Sequence, residues 1–259
     1  MTQSESEYHS TILLLDELAA NAWPAPFQQQ LEGWRLRAAG GLTRRANSVY
    51  TPGAMPRQPA WFQEVVAFYV RQSLPVRFQV SDGSPPELTP MLDQLGYSSE
   101  AHTEVQVASA ETVTARARLA EGISVKTAPR LDESWLRAFM RVEGHDPAWV
   151  DMYRAIMAAI GPAARFFRAE WGGETAGVGM AVSERGWTGI FNLATAQHMR
   201  GRGVATSVIA DLAHWSVERG ADQLYLQVME SNEVARSLYF RLGFSYLYGY
   251  HYRTEPARG

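Results

Sequence analysis

Gln197-His198-Met199-Arg200-Gly201-Arg202-Gly203-Val204-Ala205-Thr206 is the stretch of this chain best suited to hold an anion. Two glycines one residue apart let the backbone come close to a ligand. Val204, Val208, Leu212 and Trp215 then share one helical face, so the glycines open a helix whose first amides have no acceptor of their own. Free N–H groups at the positive end of a helix favour phosphate. The spacing is too close for a Walker A loop, and no Gly-Lys-Ser/Thr follows. A Rossmann turn is excluded as well, since it needs three glycines and an acidic residue beyond the next strand.

The neighbouring elements must position that turn. The apolar run Ile190-Phe191-Asn192-Leu193-Ala194 before it reads as a strand, and Leu224 to Val228 after the helix reads as another. Ser231 to Phe244 follows, with Ser231 as an N-cap, Ala235, Leu238, Tyr239 and Leu242 as one apolar stripe, and Gly243 where a left-handed C-terminal residue is wanted. Within it, Tyr239 is either a core tyrosine of that stripe or a proton donor, and Asn232 either a second helix cap or a ligand contact.

Arg200 to Ala205 resembles the pyrophosphate loop of the GNAT superfamily of acyl-CoA-dependent N-acyltransferases, written Gln/Arg-x-x-Gly-x-Gly/Ala. Arg200, Gly203 and Ala205 match it position for position. Asn232, Ala235, Tyr239 and Gly243-Phe244 resemble the same family's Asn-x-x-Ala-x-x-x-Tyr segment closing in Gly-Phe. The resemblance spans residues 123 to 253. It implies a mixed α/β fold whose mostly antiparallel sheet splays at a cofactor slot and is flanked by helices. It also implies acetyl-CoA as co-substrate. Backbone groups of Leu193, Ala194 and Thr195 would pair with the pantetheine arm. Arg200, Gly201, Arg202, Gly203, Val204, Ala205, Thr206, Asn232 and Arg236 would hold the rest of the cofactor, and Tyr239 would serve as general acid.

The base is less defined. Where some family members carry a catalytic glutamate this chain has Trp187, which takes no proton. Glu143 and His145, with Asp146, sit at a helix break that in the family borders the acceptor; Glu170 and Glu230 are further options. For each of these, a solvated surface charge or a helix cap is the competing reading. No Ser-His-Asp pattern is visible, which favours direct attack in a ternary complex over an acyl-enzyme.

Composition narrows the remaining classes. The chain has 259 residues, enough for one large domain or two ordinary ones. Its formal net charge of −3 argues against a broad nucleic-acid footprint, although Arg200, Arg202, Arg236 and Arg241 gather near the proposed phosphate site. The lack of cysteine removes disulfides, thiolate metal sites and a cysteine nucleophile together. The histidines show no metal-ligand spacing, so no metal is expected. The first seven residues are polar and acidic, unlike a signal or transit peptide, and no apolar run is long enough to span a bilayer. A cytoplasmic protein with no membrane partner is the expectation.

The first half reads as a weaker copy of the second. Leu88, Met91, Leu92, Leu95, Gly96 and Tyr97 repeat, at one constant offset, the pattern Ala235, Leu238, Tyr239, Leu242, Gly243 and Phe244. The same offset lays Thr43 to Ser48 on the strand before the loop, and Gly53 to Gln58 on Arg200 to Ala205. The proline-bearing loop there is a poor phosphate cradle. Gly40-Gly41 between Gly33 to Ala39 and Thr43 to Tyr50 predicts a hairpin, and Thr11 to Ala20 a short amphipathic helix. Tyr246, Tyr248, Tyr250 and Tyr252 predict a half-buried final strand with hydroxyls near one edge. The expected layout is a degenerate GNAT-like domain at 1–108, a connector at 109–122 and a catalytic GNAT domain at 123–259. The expected function is acetyl transfer from acetyl-CoA to a small-molecule primary amine, with a peptide or protein acceptor and a non-catalytic acyl-CoA sensor as alternatives.

Overall fold

The computed structural model describes residues 3–256. Met1 and Thr2, the start of the polar stretch, and residues 257–259, the end of the second expected domain, lie outside the described residues. In chain order the elements are α1 (Gln3–Ala22), β1 (Phe27–Leu31), β2 (Trp34–Ala38), β3 (Val49–Tyr50), α2 (Trp61–Arg71), β4 (Arg77–Ser81), α3 (Leu88–Gln94) and β5 (Ser98–Ser109). They continue with α4 (Ala110–Arg116), β6 (Ile123–Ala128), α5 (Glu133–Glu143), α6 (Val150–Ala158), β7 (Ala163–Trp171), β8 (Glu174–Glu184) and β9 (Trp187–Thr195). The last are α7 (Val204–Glu218), β10 (Gln223–Met229), α8 (Glu233–Leu242) and β11 (Ser245–Thr254), with single 3-10 turns at Pro147–Trp149 and Gln197–Met199. None of these helices is long and apolar enough to cross a membrane.

The chain forms two compact units. Residues up to Glu104 and those from Tyr248 onward make one, and Val105–Leu247 make the other. The first has strand order β1-β2-β3-β4-β11-β5 and the second β5-β10-β9-β8-β7-β6, with β5 and β11 divided between units as the chain passes from one to the next. Each unit contains a strand-helix-strand-helix run around a parallel pair: β3-α2-β4-α3 with β3 parallel to β4, and β9-α7-β10-α8 with β9 parallel to β10. The repeated apolar pattern falls on α3 and α8, and its final glycines, Gly96 and Gly243, both have positive φ.

In the first unit the sequence misplaces some boundaries. The predicted hairpin at Gly40-Gly41 is a loop, and the hairpin joins β1 to β2 through Glu32-Gly33, with Glu32 left-handed at φ 49°. Asn47 explains the difference. Its Oδ1 accepts from the amides of Ala39 (2.7 Å) and Gly41 (2.9 Å), and its Nδ2 donates to the Thr43 carbonyl (2.7 Å). One side chain thus supplies the bonds a ladder would otherwise make. Thr43 to Ser48 is accordingly loop, and the strand of this repeat is β3. Helix α1 starts earlier than Thr11, at Gln3, and the Ser10 and Thr11 hydroxyls bond back to the Ser6 and Glu7 carbonyls within it.

Strand β11 also departs from expectation. It runs inside the sheet of the first unit, antiparallel to β4, so Tyr248, Tyr250 and Tyr252 are buried and only Tyr246 is exposed. The Tyr248 hydroxyl donates to Asp16 Oδ1 at 2.6 Å, and the Ser81 hydroxyl to Asp16 Oδ2 at 2.5 Å. Burial of Asp16 outweighs those bonds and raises its carboxyl to about 6. A carboxyl whose folded pKa exceeds its unfolded value keeps its proton longer in the native state. Stability from this group therefore falls as pH rises from about 4 to about 6, by roughly 3 kcal/mol, and is flat above. Asp16→Asn is expected to remove that slope from a plot of Tm against pH. An unchanged slope would show that Asp16 titrates normally.

The second unit has its core between α7 and the sheet. Val204, Val208, Leu212 and Trp215 are buried there as the helical period predicts, and each such side chain contributes about 1.5–3 kcal/mol. Gly177 and Gly179 in β8 set how close α7 comes: an added Cβ would stand 2.6 Å from Val204 and from Val208, respectively. On α5, Asp132 caps the N-terminus by accepting from the Trp135 amide at 2.7 Å. Trp135 is buried, and its Nε1 donates to the Phe167 carbonyl on β7 at 2.9 Å, fixing the helix along that strand. The helix stops at Gly144, left-handed at φ 71°, which leaves Glu143 at its last turn.

Candidate active site

Gly201 and Gly203 both adopt left-handed φ (75° and 78°), and α7 starts immediately after them with no side chain capping it. Among the described residues, no acceptor is found for the amides of Gly201, Arg202, Gly203, Val204, Ala205 or Thr206; the first bonded amide is that of Ser207, to the Gly203 carbonyl. Six successive free donors at the positive end of a 15-residue helix form an anion cradle. A cavity of about 420 Å³ opens on it, lined by Thr195, Arg200, Gly201, Gly203, Val204, Ala205 and Thr206 and, from α8, Val234, Leu238 and Arg241. A phosphate-bearing cofactor fits these residues: exposed amides and two arginines for its charge, Val234 and Leu238 for an apolar portion.

The strand before the cradle supplies an open edge. The register of β9 with β10 runs from Trp187–Gln223 to Ile190–Leu226, and beyond it Ala194 and Thr195 have a ladder only with β8. A bulge marks the point of divergence: the β8–β9 register shifts between Val178 and Met180, and Asn192 opposite is left-handed at φ 50°. Its Nδ2 is buried without a hydrogen-bond partner. Unpaired backbone on one side of β9 can bond an extended ligand as a further strand would.

On the α5 side lies a cleft of about 820 Å³. It is lined by Arg141 to Gly144, by Gly173 to Thr175 at the start of β8, and by Ala196, Gln197, His198 and Arg200. Arg200 thus borders both the cleft and the cradle. Glu143 faces this cleft. Partial desolvation raises its carboxyl above the ordinary range, and the Arg200 charge pulls it back down. His145 is committed elsewhere: its Nε2 is 3.0 Å from the Tyr153 hydroxyl and its ring packs on Phe139 and Tyr153. Burial lowers its pKa, which keeps the ring neutral.

The sequence-predicted residues divide by position. Thr195, Arg200, Gly201, Gly203, Val204, Ala205 and Thr206 come together at the cradle. Leu193 packs on the core and Ala194 pairs with Val178, so backbone is what they can offer a ligand. Arg202 turns away, its guanidinium 5.8 Å from the Trp171 ring centroid. Asn232 caps α8 by accepting from the Ala235 amide at 3.1 Å, and Arg236 donates to the Glu230 carbonyl at 3.3 Å. Tyr239 is buried behind Leu238 with its ring edge-on to Phe244, and its hydroxyl makes no hydrogen bond among the described residues. Burial pushes that phenol up to about 12. Asn192 is the residue that sequence reasoning passed over at this site, whereas Arg241, counted there only among the charges near the loop, lines the cavity itself. An asparagine inside an apolar strand is a signal for a left-handed bulge, and Arg241 lies two turns of helix beyond Val234.

The matching turn of the first unit is occupied by the protein itself. The Glu32 carboxylate accepts from the amides of Arg57 (2.9 and 3.0 Å) and Gln58 (3.0 Å) in the loop before α2, and those bonds hold its pKa low. An anion arriving there would meet a carboxylate rather than free donors.

Gly203 is a poor place to test the cradle, because an added Cβ would stand 2.8 Å from the Ala120 Cβ. Ala205, helical, half-buried and lining the cavity, is the position from which a longer side chain reaches the cradle.

Comparison with known proteins agrees with this geometry. Residues 9–253 match the family described as "Probable histone acetyltransferase Rv0428c C-terminal". An "Uncharacterized N-acetyltransferase YobR" of Bacillus subtilis (strain 168) is 33% identical over 242 residues, 93% of this chain and 97% of that protein. Among solved structures, a GCN5-related N-acetyltransferase from Kribbella flavida superimposes with TM-score 0.69 at 11% identity, covering 95% of this chain and 96% of its own. A tandem GNAT protein from the clavulanic acid biosynthesis pathway gives TM-score 0.66 at 11% identity, covering 95% and 89%. With the anion cradle, the splayed β9 edge and a family match over nearly the whole chain, this protein belongs to that acetyltransferase family of the GNAT superfamily and is a GNAT-type N-acetyltransferase.

Proposed function

We propose that the chain transfers the acetyl group of acetyl-CoA to the primary amine of a small molecule, by direct attack with both substrates bound. The observation that carries this reading is the run of free amides at Gly201 to Thr206 beside the unpaired edge of β9. Acetyl-CoA, when bound, supplies an activated thioester. The cradle and Arg200 would hold its phosphates and the backbone of Leu193 to Thr195 its extended arm, and this reading assigns the donors at the reacting end to Asn192 and to Tyr239, which is buried on α8. Glu143, in the cleft that shares Arg200 with the cradle, takes the proton the amine must lose; His145, bound to Tyr153, positions the helix break. At the equivalent turn of the N-terminal unit the Arg57 and Gln58 amides are taken by Glu32, which leaves the cofactor to the C-terminal cradle.

A protein acceptor is the second reading, favoured by the word "histone" in the family description. A lysine-rich tail wants a carboxylate-lined groove. Against this, the cavity beyond the cleft is lined by Arg137, Arg141 and Arg168 and by no aspartate or glutamate.

The test is release of free CoA thiol from acetyl-CoA across amines, amino acids and lysine-rich peptides; a chain without cysteine gives no thiol background. Glu143→Gln is expected to lower kcat/KM by about 10²-fold. Activity in the wild type should rise with pH through an acidic limb set above the normal carboxylate range, because the base works ionised and its carboxyl is raised. Loss of that limb in Glu143→Gln, with His145→Asn retaining it, identifies Glu143. The reverse pattern assigns the base to His145.

A further inference from the structure

Beyond the cleft, and sharing Arg141 and Thr175 with it, is a separate cavity of about 640 Å³ between α5, α6 and β7. Its walls are Ala138, Met140, Pro147 and Val150, and its charged lining is three arginines: Arg137 and Arg141, one turn apart on α5, and Arg168 on β7. Helical spacing puts Arg137 and Arg141 on one face, and Trp135, on the buried side and anchored to Phe167, holds the helix along the strand carrying Arg168.

The charge in this cavity is only partly compensated, by Glu170 and, at longer range, by Asp132 and Glu133. Among the described residues, Arg137 and Arg141 make no hydrogen bond or ion pair. Arg168 gives one nitrogen to Glu170 at 3.0 Å, but its Nε is buried and has no partner. The carboxylates near enough to help are already committed: Glu133 to Arg154 at 2.9 Å, and Glu170 also to Lys126 at 2.7 Å. Guanidinium groups suit a carboxylate because their planar N–H pairs match its two oxygens. Three of them at the rim of an apolar cavity describe a ligand with an apolar body and an anionic group.

We propose that the acceptor is an amine that also bears a carboxylate on an apolar body, such as an apolar amino acid, with the carboxylate held by Arg137, Arg141 and Arg168. This rests on the acetyl-transfer reading for the amine's fate, since the shared wall at Arg141 and Thr175 leads the other end of the ligand into the cleft with Glu143. The cavity's own preference for a carboxylate does not depend on turnover.

The test is therefore binding. Affinities of the full chain for N-acetyl-L-phenylalanine and N-acetyl-L-leucine, the products such transfer would give, are measured by calorimetry with free CoA present, against the corresponding carboxamides. Each acid is expected to bind at least about tenfold more tightly than its amide. Arg137→Gln with Arg141→Gln, both exposed helical positions, should erase the difference while leaving the amide affinity unchanged. Equal affinities in the wild type, no binding of any acid, or a preference that survives in the double variant would each overturn the assignment. A preference for acids without transfer to any amine would keep the cavity's assignment and remove the transferase reading. Transfer to carboxylate-free amines, with no acid preference, would do the opposite.

Discussion

Ala205→Glu is expected to weaken acetyl-CoA binding by on the order of 10²- to 10³-fold while leaving the fold intact. Ala205 is the second residue of α7 and lines the cradle cavity. A glutamate there places a negative charge among the amides that would otherwise face phosphate. Two like charges about 4 Å apart at a protein surface repel by roughly 4 kcal/mol, which sets the size of the loss. For the helix itself the same charge is favourable, since an anion near the N-terminus contributes about 0.3–1 kcal/mol. The two effects have opposite signs, and that makes the variant diagnostic. Calorimetric titration with CoA should show weakened binding, and thermal unfolding without CoA an equal or higher Tm. A lower Tm would mean that the substitution had damaged the loop. Unchanged CoA affinity with unchanged Tm would mean that the cofactor's phosphates lie elsewhere.

Such a test could be designed from sequence alone only in part. The cradle was readable because it is local: Gly201 and Gly203 fix the backbone, and Val204, Val208, Leu212 and Trp215 fix the helix that begins there. The likeness of α3 and α8 was readable because in both an apolar helix stripe ends in a glycine of positive φ. What escaped depends on contacts remote in sequence. Glu32 fills the donors of Arg57 and Gln58, and nothing in a turn residue of a Gln-rich hairpin announces that partner. Arg137 and Arg141 are visibly one turn apart, but only the pairing and packing of β7 bring Arg168 to them. The Tyr248 to Tyr252 period gave the correct alternation; the burial of that face followed from β11 lying beside β4, a pairing that no local pattern encodes.

Tyr239→Phe is expected to lower kcat by about 10²- to 10³-fold with CoA affinity and Tm nearly unchanged. The small structural cost follows from the hydroxyl having no hydrogen-bond partner among the described residues, so phenylalanine leaves no donor or acceptor stranded, and its ring keeps the edge-on contact with Phe244. The size of the kinetic effect follows from the leaving group. A thiol of ordinary pKa about 8.5 departs as a thiolate unless a donor meets it. Burial has pushed the Tyr239 phenol up to about 12, well above that range. Complete transfer to a free thiolate is then uphill, so under the proposed role the hydroxyl would act as the C–S bond breaks, strengthening its hydrogen bond while negative charge grows on sulfur. Charge that exists only in the transition state is what a preorganised donor stabilises selectively. The loss should consequently appear in kcat and kcat/KM together, and it should shrink when a thioester with a more acidic thiol replaces acetyl-CoA, because a better leaving group needs less help. An equal loss for both thioesters would assign Tyr239 to packing behind Leu238, and a loss confined to KM would assign it to binding.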